Sequence, residues 1–155
     1  MIVAFDELPR LRGRVAMVDG AFDPIHAGHV AYFKAAKALD EGNIEVLCNV
    51  ASDKYVRSKH PPLLPDNQRA AILDAMRDVD YTHINQMDTE TVLEQLRPRY
   101  YVKGKDWEGR LPPRQVEICK THGIGIVYLD TVIDSSTTLL RTFAESAVRA
   151  GFAKP

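Results

Sequence analysis

The sequence Gly20-Ala21-Phe22-Asp23-Pro24-Ile25-His26-Ala27-Gly28-His29 lies between a short apolar run and an alanine-rich segment. The run at 14–19 predicts a buried strand, and the alanine-rich segment predicts a helix from His26 or Ala27 to about Asp40. A strand, a glycine turn and a helix start in this order bring backbone N–H groups and the positive end of a helix dipole together. The stretch therefore favours an anionic ligand, and a nucleoside triphosphate fits best.

Strands and helices alternate along the rest of the chain. This alternation predicts an α/β fold, a doubly wound parallel sheet of five strands in a single domain over residues 1–155, with a lead-in at 1–13. The lead-in is expected to be a mobile tail or a contact with another subunit. Further strands are expected at 44–50, 79–84, 100–103 and 124–129. Further helices are expected at 67–77 with Asp66 as the cap, from Asp88-Thr89 to 96, at 113–121 and from Ser135 onward.

Composition narrows the classes of partner. The net charge of −1 provides no global basic field for nucleic acid or for an anionic membrane, so neither is expected as a partner. No apolar run approaches the ~18 residues of a membrane-spanning helix, and acids interrupt the N-terminus where a signal peptide would stay apolar. Cys48 and Cys119 lie in apolar segments and are expected to be buried free thiols. A soluble cytoplasmic protein is the expectation.

The two histidines of the opening stretch carry its chemistry. His26 and His29 share one face of the helix start, and Gly28 between them removes a side chain that would block a phosphate. Imidazole or imidazolium donors can stabilise charge that develops on a phosphorus atom. The alternative is that one histidine caps the helix and the other packs in the core. A zinc site is not expected, because no nearby cysteine or acid completes a tetrahedral set.

Two other segments follow strands and are expected at the same sheet edge. Ser136-Thr137-Thr138 offers hydroxyls and helix N-terminal N–H groups to a phosphate, and Arg141 lies one turn further on. The alternative is an ordinary helix cap with Arg141 in solvent. In the segment 103–107, Gly104 permits close approach of the backbone and Asp106 could bind ribose hydroxyls, although a plain turn would have a similar sequence.

The basic residues at and near the loop 52–62 have two interpretations each. This loop is expected to form one helical turn and a mobile segment that closes over a ligand. Lys54 and Lys59 could bind phosphates or could be solvated, and Arg69 in the following helix could face the site or form a surface ion pair.

With these residues assembled, the chain resembles the cytidylyltransferase-like superfamily of nucleotidyltransferases. Residues 20–29 match its GxFDxxHxGH element, and residues 136–141 match its ST-T-x-x-R/K element. The resemblance covers residues 14–143 and implies a Rossmann-like fold. It also implies transfer of a nucleotidyl group from a nucleoside triphosphate to a small phosphorylated acceptor, with Mg²⁺ on the triphosphate, release of pyrophosphate and a homodimeric assembly.

Two subgroups are similar in different places. The adenylyltransferase of ADP-heptose synthesis is similar at seven places, and glycerol-3-phosphate cytidylyltransferase is similar at 106–109. The second subgroup has an arginine in a run that here reads Thr131-Val132-Ile133-Asp134-Ser135, and Lys105 interrupts its paired acids. These departures favour ATP over CTP. The places shared with the first subgroup are Asp53, Lys59, Arg69, Val79-Asp80, Asp88-Thr89, Arg97-Pro98 and Val102-Lys103-Gly104.

The resemblance also implies roles for individual residues. His26, His29, Lys59 and Arg141 would be catalytic, with His29 nearest the transferring phosphorus, and no residue would be a dedicated metal ligand. Two rival functions stay open, a nucleotide sensor without catalysis and a flavodoxin-like binding module. The nucleotide-binding residues would be Gly20, Ala21, Phe22, Asp23, Gly28, Gly104, Asp106, Ser136, Thr137 and Thr138.

Overall fold

Five parallel strands form one sheet in the order β3-β2-β1-β4-β5. The computed structural model describes residues 1–131 and 135–154. Positions 132–134, which belong to the run that lacks an arginine, lie outside the described residues. The order confirms the predicted doubly wound sheet, whose direction of winding changes at β1. The strands are β1 Val15–Gly20, β2 Glu45–Ala51, β3 Tyr81–Asn85, β4 Tyr100–Gly104 and β5 Gly125–Leu129.

Helices connect the strands, and short 3₁₀ segments lie at Phe5–Leu11, Leu39–Gly42 and Lys105–Trp107. The first helix ends earlier than predicted because Asp40 and Glu41 adopt left-handed backbone angles, with φ of 51° and 58°. The α-helices are α1 Ala27–Lys37, α2 Asp53–Arg57, α3 Asp66–Asp74, α4 Thr89–Leu96, α5 Pro113–His122 and α6 Ser136–Arg149.

The N-terminal caps of α4 and α3 differ in how well the local sequence predicts them. α4 starts where predicted, and Asp88 caps it, its carboxylate accepting from the N–H of Thr91 at 2.6 Å. Asp66 does not cap α3. Pro65 holds the cap position, and the Asp66 carboxylate instead accepts from the backbone N–H of Asp53 at 3.2 Å. A contact between distant segments therefore replaces the local cap.

Each face of the sheet buries its own apolar cluster. Met17 and Leu47 belong to the cluster under α4 and α5, whereas Val18 and Cys48 belong to the cluster under α1 and α3. Alternate residues of one strand thus enter opposite cores, as in a sheet covered on both sides. Cys48 and Cys119 are buried free thiols, as predicted.

The lead-in at 1–13 is part of the core rather than a mobile tail. Leu8 and Leu11 are completely buried in the cluster that also contains Leu93 of α4. The backbone N–H of Val3 donates to the carbonyl of Thr82 at 2.9 Å, which fixes the lead-in beside β3. Within the described residues, none of the helices has the length and apolar character needed to cross a membrane.

Candidate functional site

A row of polar side chains crosses the sheet near the carboxyl ends of its strands. Asp19 is in register with Asn49, and Asn49 with His83. On the other side, Lys103 is in register with Tyr128, and its Nζ lies 2.7 Å from Asp19 Oδ1. Residues paired in register project from the same face of a sheet, so these five side chains share one face. The carboxyl edge of the sheet is therefore polar on that face.

The ion pair between Asp19 and Lys103 forms a wall between two cavities and lines both of them. The two side chains are only 13% and 10% exposed. Asp19 Oδ2 accepts from the Tyr101 hydroxyl at 3.3 Å and from Thr89 Oγ1 at 3.4 Å. Lys103 Nζ also lies 4.4 Å from the centre of the Trp107 ring. These contacts hold both charges in place at the boundary.

The first cavity, called here the histidine cavity, has a volume of about 350 Å³. The start of α1, the end of β4 and the start of α6 meet there, as the sequence predicted. Its lining contains many of the residues expected from the sequence, namely Gly20, Phe22, His26, Gly28, His29, Lys59, Gly104, Asp106 and Ser136.

The two histidines stack against each other in this cavity. Their ring centres are 3.9 Å apart with an angle of 27° between the planes. His26 caps α1, its Nδ1 accepting from the N–H of Gly28 at 3.1 Å, and His29 Nδ1 accepts from the N–H of His26 at 3.4 Å. Because Nδ1 is the acceptor in both rings, the proton of each neutral imidazole lies on Nε2. His26 Nε2 is buried and has no partner among the described residues.

His29 is a neutral donor at physiological pH. Burial, with a further contribution from the neighbouring His26, lowers the pKa of His29 from 6.5 to about 4. The Phe22 ring packs edge-on against it with 5.2 Å between ring centres. Phe22 is itself held with φ of 52°, in the left-handed region. The imidazole, and not the imidazolium, is thus the form that His29 presents to a ligand.

At the start of α6, one predicted residue reaches the histidine cavity. Ser136 lines it, and its hydroxyl donates to the carbonyl of Pro24 at 2.8 Å, which connects α6 to the loop before α1. Ser135 caps the helix through the N–H of Thr138. Thr137, Thr138 and Arg141 are exposed and do not line the cavity. Their contact with a phosphate stays a prediction.

Asp23 and Ala21 lie behind the histidine cavity rather than in its lining. The Asp23 carboxylate is completely buried and accepts from the N–H groups of Leu63 and Leu64 at 2.7 and 3.0 Å. The carbonyl of Ala21 accepts from Arg69 at 2.7 Å. Asp23 therefore connects a distant loop to the turn before α1.

Arg69 follows neither of the two interpretations that its sequence allowed. It is fully buried, and its guanidinium donates to the carbonyls of Ala21, Ala51 and Leu64 and pairs with Asp53 at 2.7 Å. These contacts join the loop before α1, the end of β2 and the start of α2. Arg69 thus fixes the framework around the site without lining either cavity.

The second cavity, called here the amide cavity, lies beyond Asp19 and Lys103 and has a volume of about 430 Å³. Asn49, Asn85 and Gln115 give it its name. This cavity was not predicted from the sequence, although two asparagines near strand ends, Asn49 and Asn85, indicate a polar site there. Ala21 and Lys59 also line it, and Lys59 lines the histidine cavity as well.

Comparison with known proteins gives consistent matches. A family model described as Cytidylyltransferase-like matches residues 17–143. "Bifunctional protein HldE" of Alcanivorax borkumensis is 33% identical over 144 residues, or 89% of this chain and 29% of that protein. The protein of the same name from a Shewanella species is 38% identical over 104 residues, or 66% and 22%. The chain thus spans less than a third of the length of these relatives.

Among solved structures, the lipopolysaccharide core biosynthesis protein from Thermoplasma volcanium is similar with a TM-score of 0.62. The sequences are 26% identical, and the match covers 76% of this chain and 96% of that one. A protein of unknown function from Archaeoglobus fulgidus shares the fold, with a TM-score of 0.58 and 21% identity.

Proposed function

Because this chain belongs to the cytidylyltransferase-like family of nucleotidyltransferases, we propose that it transfers AMP from ATP to a small sugar or polyol phosphate. An oxygen of the acceptor phosphate attacks the α-phosphorus, the bond from that phosphorus to the bridging oxygen breaks, and pyrophosphate leaves. No covalent enzyme intermediate is formed. The observation that carries this proposal is the stacked pair of His26 and His29, whose Nδ1 atoms are both engaged by backbone N–H groups.

The two imidazoles stabilise charge through their Nε2–H groups. Since His29 is neutral, it acts as a hydrogen-bond donor to the α-phosphate region, where negative charge develops during transfer. A donor in a partly buried cavity is worth more than one in water, because fewer solvent dipoles compete with it. His26, whose buried Nε2 has no partner in the described part of the chain, supplies the second donor.

The remaining predicted residues surround these donors. Ser136, Thr137 and Arg141 at the start of α6 would hold the β- and γ-phosphates, and Lys59 would close over the transferring phosphorus. Gly104 and Asp106, at the end of β4, would contact the nucleoside, while Gly20 and Gly28 allow the backbone to approach the phosphates.

Mg²⁺ fits this site as a companion of the triphosphate. The described residues contain no cluster of three or more metal-ligating side chains, and Mg²⁺ is commonly bound by substrate phosphates with one or two carboxylates. The triphosphate oxygens would hold the ion, and Asp106, which lines the histidine cavity, keeps its proposed contact with the nucleoside. When bound, the ion would neutralise charge on the triphosphate oxygens.

The nature of the acceptor is supported by the relatives. One solved relative has a name that refers to lipopolysaccharide core biosynthesis, and a polysaccharide is built from sugars. A sugar or polyol phosphate is therefore proposed for this chain. Homodimer formation, a cytoplasmic location and the absence of a nucleic-acid partner stay predictions from the sequence.

Pyrophosphate release tests the proposal. The chain is incubated with Mg²⁺, with ATP or CTP, and with a panel of sugar and polyol phosphates. Pyrophosphate release that requires both ATP and an acceptor supports the proposal. Release only with CTP would show that CTP, and not ATP, is the nucleotide donor. Nucleotide binding without release under any of these conditions would favour a sensor.

A further inference from the structure

We infer that the amide cavity binds the body of the acceptor and selects acceptors rich in hydroxyl groups, with Asn49 and Glu90 as the residues that determine this specificity. The inference rests on the proposed function and assigns the acceptor a place and a chemical class. It concerns residues that no comparison identifies.

The position of the amide cavity is the first argument. It adjoins the histidine cavity at Asp19 and Lys103, and Lys59 and Lys103 line both. The acceptor phosphate must reach the α-phosphorus, so it belongs at this boundary, where the two ammonium groups can bind it. The rest of the acceptor then extends away from the nucleotide into the amide cavity, whose volume of about 430 Å³ suits a monosaccharide-sized body.

Unused hydrogen-bonding groups in the amide cavity are the second argument. Asn49 is only 1% exposed, and its Oδ1 has no partner among the described residues. A buried amide oxygen without a partner costs about 1–3 kcal/mol, which a ligand hydroxyl would recover. The Oδ1 of Asn85 accepts from the N–H of Met87, which leaves its amide N–H groups without a partner among the described residues.

Glu90 adds an acceptor beside these amides. Its Oε1 accepts from Gln115 Nε2 at 3.1 Å, and its Oε2 has no partner within the described part of the chain. The Tyr101 hydroxyl lies 3.0 Å from Gln115 Oε1, and burial raises the pKa of Tyr101, so this hydroxyl stays protonated. The lining thus alternates donors and acceptors, which matches a ligand whose hydroxyls both donate and accept.

The faces of two aromatic rings in the same cavity are already occupied by ammonium groups. Quaternary ammonium groups bind to the faces of aromatic rings. Here Lys59 Nζ lies 4.6 Å from the centre of the Tyr55 ring, and Lys103 Nζ lies 4.4 Å from that of Trp107. A cation at either ring would meet an ammonium group of the protein.

Calorimetric titration tests the inference on the full chain saturated with a non-hydrolysable ATP analogue and Mg²⁺. The probes are mannose 1-phosphate, glycerol 3-phosphate and phosphocholine, which share a phosphate and differ in their bodies. We expect mannose 1-phosphate to bind at least about tenfold more tightly than phosphocholine. In Asn49→Leu and Glu90→Gln, we expect its affinity to fall about tenfold while that of the analogue changes by less than about twofold.

Asn43→Leu is the matched control, because Asn43 is exposed near the opposite end of β2. If Asn49→Leu does not fold, Glu90→Gln carries the test. The inference is overturned if phosphocholine binds as tightly as mannose 1-phosphate, or if neither hydroxyl-bearing probe binds. It is also overturned if the folded variants bind mannose 1-phosphate like the parent, or if they lose as much affinity for the ATP analogue as for mannose 1-phosphate.

The failure of the two proposals can be told apart by measuring pyrophosphate with the same probes. Selective binding of hydroxyl-bearing probes without pyrophosphate release under any condition would overturn the proposed function and leave the inference. Pyrophosphate release that is as efficient with phosphocholine as with mannose 1-phosphate would do the reverse.

Discussion

The histidine cavity and the amide cavity lie side by side, yet the chain builds them in different ways. The first takes its two histidines and three further lining residues from one continuous segment, Gly20 to His29, in which a turn and a helix start place donors by local geometry. The second combines short pieces of several separate elements, such as Asn49 from β2, Asn85 from β3 and Glu90 from α4. A continuous segment can be recognised by its spacing, whereas dispersed residues meet only after the sheet has formed.

The two cavities also differ in how their polar groups are satisfied. In the histidine cavity, backbone N–H groups engage one nitrogen of each ring and leave the other available. In the amide cavity, the side chains of Tyr101, Gln115 and Glu90 bond to one another rather than to the backbone. We therefore expect the first cavity to set the reaction rate and the second to set acceptor affinity.

The sharpest difference between the cavities should appear in His29→Ala. Loss of one preorganised donor is expected to lower kcat about 10²- to 10³-fold, while far-ultraviolet circular dichroism stays unchanged. His29→Gln should recover part of the activity, because the glutamine amide can place an N–H group near the position of Nε2. Turnover is measured as pyrophosphate release.

His122→Ala is the control for this comparison. His122 pairs with Glu94, far from either lining, and should keep kcat within about threefold of the parent. Near-normal turnover of His29→Ala, or an equal loss in His122→Ala, would contradict the role of the histidine pair.

The wall between the cavities is tested by Asp19→Asn, which leaves the Lys103 ammonium buried without its counter-charge. We expect the free energy of unfolding to fall by about 3 kcal/mol and the KM values of both substrates to rise. Urea denaturation and steady-state kinetics measure the two effects. Glu117→Gln removes an exposed partner of Arg114 and should cost less than about 1 kcal/mol. If Asp19→Asn lowers the free energy of unfolding no more than Glu117→Gln does, the charge of Asp19 does not stabilise the buried Lys103.

Acid should destabilise the protein partly through His29. Its pKa of about 4 in the folded chain lies below the value of 6.5 expected when unfolded. As pH falls from 6.5 toward 4, the His29 imidazole therefore takes up a proton in the unfolded chain but stays neutral in the folded chain. The free energy of unfolding falls as a result. This single group contributes about 2 kcal/mol of loss at pH 5, and none above neutral pH. The difference in unfolding free energy between the parent and His29→Gln should follow this course, and a difference that is constant from pH 7 to 5 would refute it.

Much of the fold was predictable because its signals are local. The sequence predicts β1 and β2 from apolar runs and the start of α4 from Asp88, without knowledge of distant contacts. The structure confirms all three elements. The cap proposed at Asp66 was wrong, since its carboxylate binds the N–H of Asp53 across thirteen positions. Local rules do not contain such contacts.

Some features of the site could be predicted from the sequence, and others depend on contacts between distant residues. The family and the nucleotidyltransferase assignment are confirmed by the match over residues 17–143. The pairing of Asp19 with Lys103 and the burial of Arg69 depend on strand order and loop packing, which spacing along the chain does not encode. The roles of the individual site residues stay predictions.

Arg141 provides the smallest and most selective test of the histidine cavity. The structure places it exposed on α6, one turn beyond Ser136 and outside the lining, so solvent would screen any contact with a phosphate. We expect Arg141→Gln to raise the KM for ATP about fivefold with little change in kcat, and the effect to shrink as salt is added. Arg149→Gln alters the same helix at its far end and should change neither constant. If both variants behave like the parent, Arg141 is a solvated surface residue, and the N-terminus of α6 must bind the β- and γ-phosphates without it.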